Sequence, residues 1–302
     1  MRLGVHIVDA GSGLEEIVGR VRAAADAGFA GAYFGQLTSW DAVGLAALAG
    51  REVPGIEVGT AVTQTWPRHP LALAGQALTA QAATGGRFTL GVGPSHPQIV
   101  EGLFGLPYER PARHVREYLT ALMPLLRGEP VDFHGETLTA AGRVEVPVPR
   151  PPSVLLSALG PVMLRIAGEL ADGTVTVWTG PESIADHVVP AITRAAAQAG
   201  RPDPRIVATV VVSVTADPEG VLQQTVEQLG MAADLPAYRA TLDRQGLTGV
   251  HETVVAGDEG TVERALRAYA DAGATELIVS AHGDERDRAR TLEFLASLAD
   301  DL

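Results

Sequence analysis

The sequence predicts a single (β/α)₈ TIM barrel, an α/β fold with insertions after strands 4 and 7. Three observations predict it. Short apolar runs alternate with longer amphipathic segments, and eight such strand–helix units can be counted along the 302 residues. Repeated alternation implies parallel strands joined by right-handed crossovers. The runs are continuously apolar, as in Val207–Val212, which is how parallel strands covered on both faces read. The length suits one domain spanning residues 1–302. Such barrels typically take roughly 250 residues, and more with insertions. A doubly wound open sheet is the competing topology, and eight units suit closure better.

Taken in order, the first strand is expected at Leu3–Val8, with helix Leu14–Ala27 stopping at Gly28. Gly31–Gly35 and Ile56–Val62 follow as strands, leading into helical segments Trp40–Gly50 and Pro70–Thr84. The Gly85-Gly86 pair ends the latter helix, because glycine tolerates the left-handed backbone of a helix stop. Phe88–Val92 is the fourth strand, followed by a long segment with a helix from Pro111 to Arg127. Val154–Ala158, Thr174–Trp178, Ile206–Val214 and Glu276–Ser280 complete the eight. Val131–Val146 holds the turn signal His134-Gly135-Glu136 between strand formers and reads as an inserted hairpin. Pro218–Gly246 reads as extra helices, and long inserts on barrel loops commonly line or cover the site.

Composition removes whole classes of chemistry. With no cysteine, disulfides, thiolate nucleophiles, iron–sulfur clusters and cysteine zinc sites are excluded. All 23 cations are arginine, so Schiff-base aldolase chemistry, an internal pyridoxal aldimine and a Walker-type phosphate loop lack their amine. A net charge of −13 argues against a nucleic-acid partner. No basic segment with an apolar run precedes the first strand, and no eighteen-residue apolar window suggests a membrane span. A cytoplasmic protein acting on a small molecule is expected, in a homo-oligomer such as a dimer.

On this fold the site is built at the strand C-terminal ends. That selects His6, Gln36, Ala61–Thr65, Gly93–His96, Ser157–Pro161, Trp178–Gly180 and Ser280–His282. Small residues at Ser157-Ala158-Leu159-Gly160-Pro161 stand just before helix Val162–Leu170, where a helix N-terminus favours an anion. This is a phosphate cradle or an ordinary βα turn, and local sequence does not choose. Gly91-Val92-Gly93-Pro94-Ser95-His96 lacks the third glycine and following helix of a dinucleotide fingerprint. Its glycines instead suit a flat ring against the backbone. His96 is a substrate contact or a solvated loop histidine. The eight histidines show no paired metal spacing, and although His6 and His282 end the first and last strands, no metal is expected. With no Gly-x-Ser-x-Gly elbow and few acids at strand ends, the residues point to a phosphate-bearing planar cofactor that carries the chemistry.

At these same segments the sequence resembles the luciferase-like monooxygenase superfamily, in particular its coenzyme F420-dependent oxidoreductases. The resemblance rests on Gly59-Thr60-Ala61-Val62-Thr63, Pro67-Arg68-His69-Pro70, Gly85–Gly93, Ala158–Pro161 and Ala167–Gly173, in order over nearly the whole chain. It implies a non-prolyl cis peptide joining Ala61 and Val62, propping a deazaflavin ring. It implies a cofactor site made of Gln36, Ala61, Val62, Thr63, Gly93, Pro94, Ser95 and His96, with Ser157, Ala158, Leu159, Gly160 and Pro161 receiving the phosphate. Trp178, Thr179 and Gly180 would help enclose the phosphate end, and Arg68, Arg110, Arg113 and Arg165 are candidates for an anionic tail. His6, Trp40 and Trp66 are the candidate substrate contacts. The Asp-His pair of the sugar-phosphate dehydrogenases in this group falls on Gln36 and Leu37, and their acid after the fourth strand falls on His96. Sugar-phosphate oxidation is therefore not transferred. The expected activity is hydride transfer between deazaflavin C5 and a small organic substrate, reducing an activated C=C or C=N bond, with His96 and Gln36 as catalytic candidates. An FMN-dependent two-component monooxygenase and a non-catalytic deazaflavin carrier or sensor are the alternatives.

Overall fold

The computed structural model describes residues 1–8 and 11–299. Eight parallel strands form the barrel: β1 (Arg2–His6), β2 (Gly31–Phe34), β3 (Glu57–Thr60), β4 (Phe88–Gly93), β5 (Ser153–Ser157), β6 (Gly173–Val177), β7 (Arg205–Val214) and β8 (Glu276–Ala281). Each pairs with its successor in the chain, and β8 returns to pair with β1, with Arg2 opposite Glu276. Closure removes the sheet edges that an open sheet would expose. The open-sheet alternative is thereby overturned.

Side chains alternate along each strand, so every barrel strand has an outward and an inward set. The outward set, including Leu3, Val58, Leu90, Leu156, Ala208 and Leu277, is buried against the helices in one continuous core. The inward set forms layers. Tyr33 fills the middle of the lumen with Leu155, Val175, Val207 and Ile278 beside it. Its ring fits because its neighbours are glycines: a Cβ on Gly4, Gly31 or Gly59 would stand 2.8, 2.7 or 2.9 Å from it. Below it, at the N-terminal end, Arg205 bonds Glu57 at 3.0 Å and Glu276 at 2.8 Å, and the Tyr33 hydroxyl lies between the two carboxylates. Burial opposes ionisation of Glu57, but Arg205 and Arg2 outweigh it and hold the carboxyl below its usual range. The lower half of the barrel is therefore a filled, charge-compensated plug.

The helices that precede the first insert are α1 (Leu14–Asp26), α2 (Ala42–Glu52), α3 (Pro70–Ala83), α4 (Pro97–Phe104) and α5 (Pro111–Leu126). Asp41 caps α2 by accepting from Gly44 N at 2.6 Å, as an aspartate before a helix should. Helix α6 (Pro161–Leu170) follows β5 directly. The expected hairpin is present as antiparallel Val131–His134 and Thr139–Gly142. Its turn is pinned to α5, because the Glu117 carboxylate accepts from the backbone N–H of Glu136 and Thr137 at 3.1 and 2.7 Å. After β7 the insert forms helices Pro218–Leu229 and Pro236–Arg244. Among the described residues no helix is long and apolar enough to cross a membrane.

Three features differ from expectation. Helix α4 does begin right after the β4 loop, started by Pro97 as a helix-opening proline. It is stopped by Gly105 in the left-handed region, at φ 64. The third strand is not continuous to Val62: it ends at Thr60, and Thr63–Gln64 re-pairs with Val92–Gly93. Gly59 faces Thr89 and Thr63 faces Val92, so the β3 side carries one extra residue, the signature of a bulge. A short strand, Val255–Gly257, also extends β7 in parallel, and its three residues are too few to read from pattern.

Candidate active site

Above Tyr33 the lumen opens. The inward positions His6, Ala61, Ser157, Val177, Thr209 and Ser280 are partly exposed, whereas their outward neighbours Val5, Thr60, Leu156, Thr176, Ala208 and Val279 are buried. A concave mouth at the C-terminal end is the arrangement that leaves only the inward face wet. None of these upper positions is acidic.

One wall is made by the β3 bulge and β4. The Ala61–Val62 peptide is cis, as the resemblance implied, and the Val62 carbonyl accepts from Gln36 N at 3.2 Å. The upper inward positions of β4, Gly91 and Gly93, carry no side chain. A Cβ at Gly91 would stand 2.0 Å from the Thr60 oxygen, and one at Gly93 would meet Val62 and Ser157 at 3.0 and 3.1 Å. Gly93, Val62 and Ser157 are thus brought together. Thr63 is in register with Val92 and shares its outward, helix-facing side, where its hydroxyl is buried with no partner among the described residues.

The second wall is the start of α6. Gly160 is its N-cap in extended conformation, no side chain caps it, and a Cβ there would meet nothing within 4 Å. Pro161 has no N–H and Leu164 N already bonds Gly160 O, so Val162 and Met163 carry the unpaired first-turn N–H groups, and the helix dipole there favours an anion. The neighbouring Leu159 carbonyl accepts from His187 Nε2 at 3.0 Å, which holds the loop; burial keeps the His187 imidazole below its usual range.

The roof comes from the β7 insert. Tyr238 packs edge-on against His96, with ring centroids 4.6 Å apart, and also approaches Trp178. The Gln245 amide donates to Trp178 O at 2.9 Å and accepts from Gly180 N at 2.7 Å, clamping a turn in which Trp178 has φ 54. A bulky residue with positive φ is an outlier that surrounding structure must hold, and this clamp does so. Thr179 is buried with its hydroxyl on the Val177 carbonyl at 2.9 Å. Trp178 itself lies in an apolar cluster with Leu242 and Val250, so its indole anchors the roof. The Gly180 N–H is already taken and is not a phosphate donor.

The remaining candidates are distributed unevenly. His96 is the N-cap of α4, and burial lowers its pKa, so its imidazole is neutral at pH 7. Pro94 and Ser95 complete that loop; Ser95 has φ 61 and its carbonyl accepts from Tyr108 at 3.0 Å. The Gln36 side-chain oxygen accepts from Ala42 N at 2.9 Å and from Arg68 at 3.1 Å, which ties it to the start of α2. Trp40 donates to Ser12 O at 3.2 Å and bridges two loops at the rim. Trp66 stacks on His114 at 3.9 Å behind the β3 bulge, where its indole N–H is buried with no partner among the described residues. The four tail arginines all have carboxylates: Arg68 on Asp41, Arg110 and Arg113 on Glu136, and Arg165 3.9 Å from Glu169. Arginines paired in this way are no ready-made tail site.

Tyr238, Gln245, His187 and His114 were not singled out by the sequence. The first two lie in Pro218–Gly246, so the segment was legible as a cover but not the side chains that do the covering. Among the described residues no group of three or more histidines and carboxylates gathers to hold a metal.

The site so built is a glycine-walled mouth with an anion-favouring helix start on one side and neutral imidazoles at the rim. Residues 1–276 match the profile of the luciferase-like monooxygenase family. The chain belongs to that family, and it is an oxidoreductase of the luciferase-like class. It is similar to a Mycobacterium tuberculosis protein assigned as a coenzyme F420-dependent oxidoreductase, 28% identical over 89% of this chain and 91% of the relative. It is also 30% identical to the F420-dependent glucose-6-phosphate dehydrogenase of Rhodococcus erythropolis, over 81% of this chain and 78% of the relative. In fold it is similar to an F420-dependent secondary alcohol dehydrogenase, with a TM-score of 0.85 at 15% identity, covering 98% of this chain and 97% of that one.

Proposed function

We propose that the chain, acting as one domain, is a coenzyme F420-dependent oxidoreductase that reduces an activated C=C or C=N bond of a small organic substrate. The observation that carries this reading is the fit of the mouth to a flat, phosphate-bearing coenzyme. A Cβ at Gly91 would strike the Thr60 oxygen and one at Gly93 would press on Val62 and Ser157 beside the Ala61–Val62 bulge, while Gly160 leaves open space at the start of α6. A planar ring suits the first wall and a phosphate the second.

When bound, the deazaflavin supplies or accepts hydride at C5. The chain's own residues do the rest. Ala61, Val62 and Gly93 support the ring face, with Thr63 behind them on the helix side of the wall. Ser157, Ala158, Leu159, Gly160 and Pro161 hold the phosphate through the α6 N-terminus. The roof residues Tyr238 and Trp178 exclude water, which strengthens every polar contact beneath them. His6, Thr209 and Ser280 orient the substrate from the opposite inner wall of the mouth.

His96 handles the proton. Its lowered pKa means that it donates from its charged form only at acid pH, so reduction should slow as pH rises through a value below 6.5. His96→Ala should remove that decline with rising pH from the profile. Gln36 serves as a positioning residue, since its oxygen is bound to Ala42 N and Arg68.

The direct test is a titration with oxidised and reduced coenzyme F420, followed by absorbance and fluorescence. Saturable binding at micromolar concentration is expected, and its absence refutes the reading. Tighter binding of FMN, with oxygen consumption after reduction, would favour the two-component monooxygenase. A single stoichiometric event with no turnover on any substrate would favour a carrier or sensor. A cytoplasmic homodimer is the assembly we propose, checked by light scattering.

A further inference from the structure

At the opposite end of the barrel, around the N-terminal starts of β3, β4, β5 and β7, lies a cavity of about 570 Å³. Its walls carry six arginines, Arg2, Arg87, Arg127, Arg150, Arg201 and Arg205. That concentration is unexpected in a chain whose 36 acids outnumber its 23 cations. Four of the six are neutralised. Arg2 and Arg205 share Glu57 and Glu276, Arg201 bonds Asp172 at 2.8 Å, and Arg127 bonds Glu129 at 2.8 Å.

Arg87 and Arg150 are different. Among the described residues neither forms an ion pair with a carboxylate; their guanidinium groups bond only main-chain carbonyls. Arg87 reaches Gly50 at 2.7 Å and also Ile56, closing the end of α2. Arg150 reaches Gly86 with Nε and one Nη at 3.2 and 2.9 Å, and its own carbonyl is held by Gln81 at 3.0 Å. Carbonyl capping explains why these side chains are fixed in place. It does not explain why two positive charges on one cavity lack counter-ions in an acidic protein. Burial also depresses the Arg87 pKa, with no carboxylate to offset the desolvation.

A fixed guanidinium fork with one free edge suits a phosphate, which it can bond through two parallel N–H groups. The same cavity is also lined by the apolar side chains of Met123 and Pro151. The volume lies within the range of about 300–1,000 Å³ typical of small-molecule sites. We propose that this N-terminal face is a second binding site, for a phosphate monoester of a small apolar organic group, held by Arg87 and Arg150 with its apolar part on Met123 and Pro151. It is separate from the coenzyme mouth, from which the Tyr33 layer divides it, and it does not depend on the coenzyme's identity.

The test is calorimetric titration of the full chain with inorganic phosphate and with phenyl phosphate, at constant ionic strength set with chloride. Saturable binding is expected for both, with phenyl phosphate the tighter. Arg150→Gln should weaken both at least tenfold; Arg150 is exposed, so this change spares the core. Met123→Glu, which places a carboxylate on the apolar wall, should do the same, and circular dichroism verifies that each variant is folded. Absence of saturable binding at millimolar ligand would overturn the proposal. Equal affinity in the folded Arg150→Gln variant would also overturn it, because phosphate would then be held elsewhere, the α6 N-terminus included. Phenyl phosphate binding no more tightly than inorganic phosphate would overturn the assignment of an organic ester.

Discussion

His114 offers the most quantitative check on the packing behind the active-site wall. Its ring is buried, stacked on Trp66, and bonded through Nε2 to the Thr65 hydroxyl at 3.1 Å, while Nδ1 is buried without a partner. Burial pushes its pKa down to about 4, against partial opposition from Glu117. The folded pKa is thus below the unfolded value of about 6.5, so the unfolded chain takes the proton first. Stability is fully present above pH 6.5, is lost as pH falls, and stops falling near pH 4. Between pH 7.5 and 5 that displacement of the pKa makes the linkage about 2 kcal/mol. An unfolding entropy of roughly 2.1 cal/mol/K per residue, taken over the whole chain, converts this into about 3 °C of melting temperature. His114→Phe keeps an aromatic ring on Trp66 and removes the titration. It should lower stability by ~1 kcal/mol at pH 7.5, for the lost Thr65 bond, yet lose ~2 kcal/mol less than the parent on acidification to pH 5. Denaturant melts at both pH values measure this. Other titrating groups are common to both proteins and cancel in the difference. Equal pH dependence in the two proteins would refute the claim that His114 is buried and neutral.

Four further substitutions probe other parts of the molecule. Glu276→Gln removes a carboxylate with a side chain 2% exposed and leaves Arg205 undercompensated. A loss of about 3–5 kcal/mol is expected in thermal unfolding, and a negligible loss would show that the plug does not depend on this charge. Gln245→Ala breaks both amide bonds to the Trp178–Gly180 turn; faster limited proteolysis within Pro236–Arg244 and weaker coenzyme binding should follow, and unchanged proteolysis would argue against the clamp. Gly91→Ala and Gly160→Ala form a matched pair. The first drives a Cβ to 2.0 Å from Thr60 O and should cost roughly 3 kcal/mol of stability. The second adds a Cβ in open space. It should change stability by no more than about 0.5 kcal/mol, as surface substitutions do, while weakening coenzyme affinity in isothermal titration.

The barrel was legible in the sequence because its signal is local. A strand covered on both faces must be apolar throughout, and a helix on the barrel must repeat its apolar stripe every turn, so the rhythm of β1 to β8 follows from neighbours in the chain. The glycines of β4 and the small residues before α6 were legible for the same reason, since each answers to the backbone beside it. Even the missed helix α4 had left its mark, with proline at its first position and glycine after its last. The short strand Val255–Gly257 had left none, because so short a run carries no period.

Which groups remain available for chemistry was decided only by the tertiary structure. Gln36 stood at the right strand end, yet its oxygen is bound to a helix start and to an arginine distant in the chain. The same holds for Arg110 and Arg113, caught by Glu136 of the hairpin, and for the Gly180 N–H, caught by Gln245. Charge pairing and hydrogen bonding act through space, over contacts that sequence spacing does not encode. The sequence by itself thus determined a barrel with its mouth at the strand C-termini and the backbone walls of that mouth. The tertiary structure decided which side chains face into it, which are spent holding it together, and which two arginines at the far end have no counter-charge among the described residues.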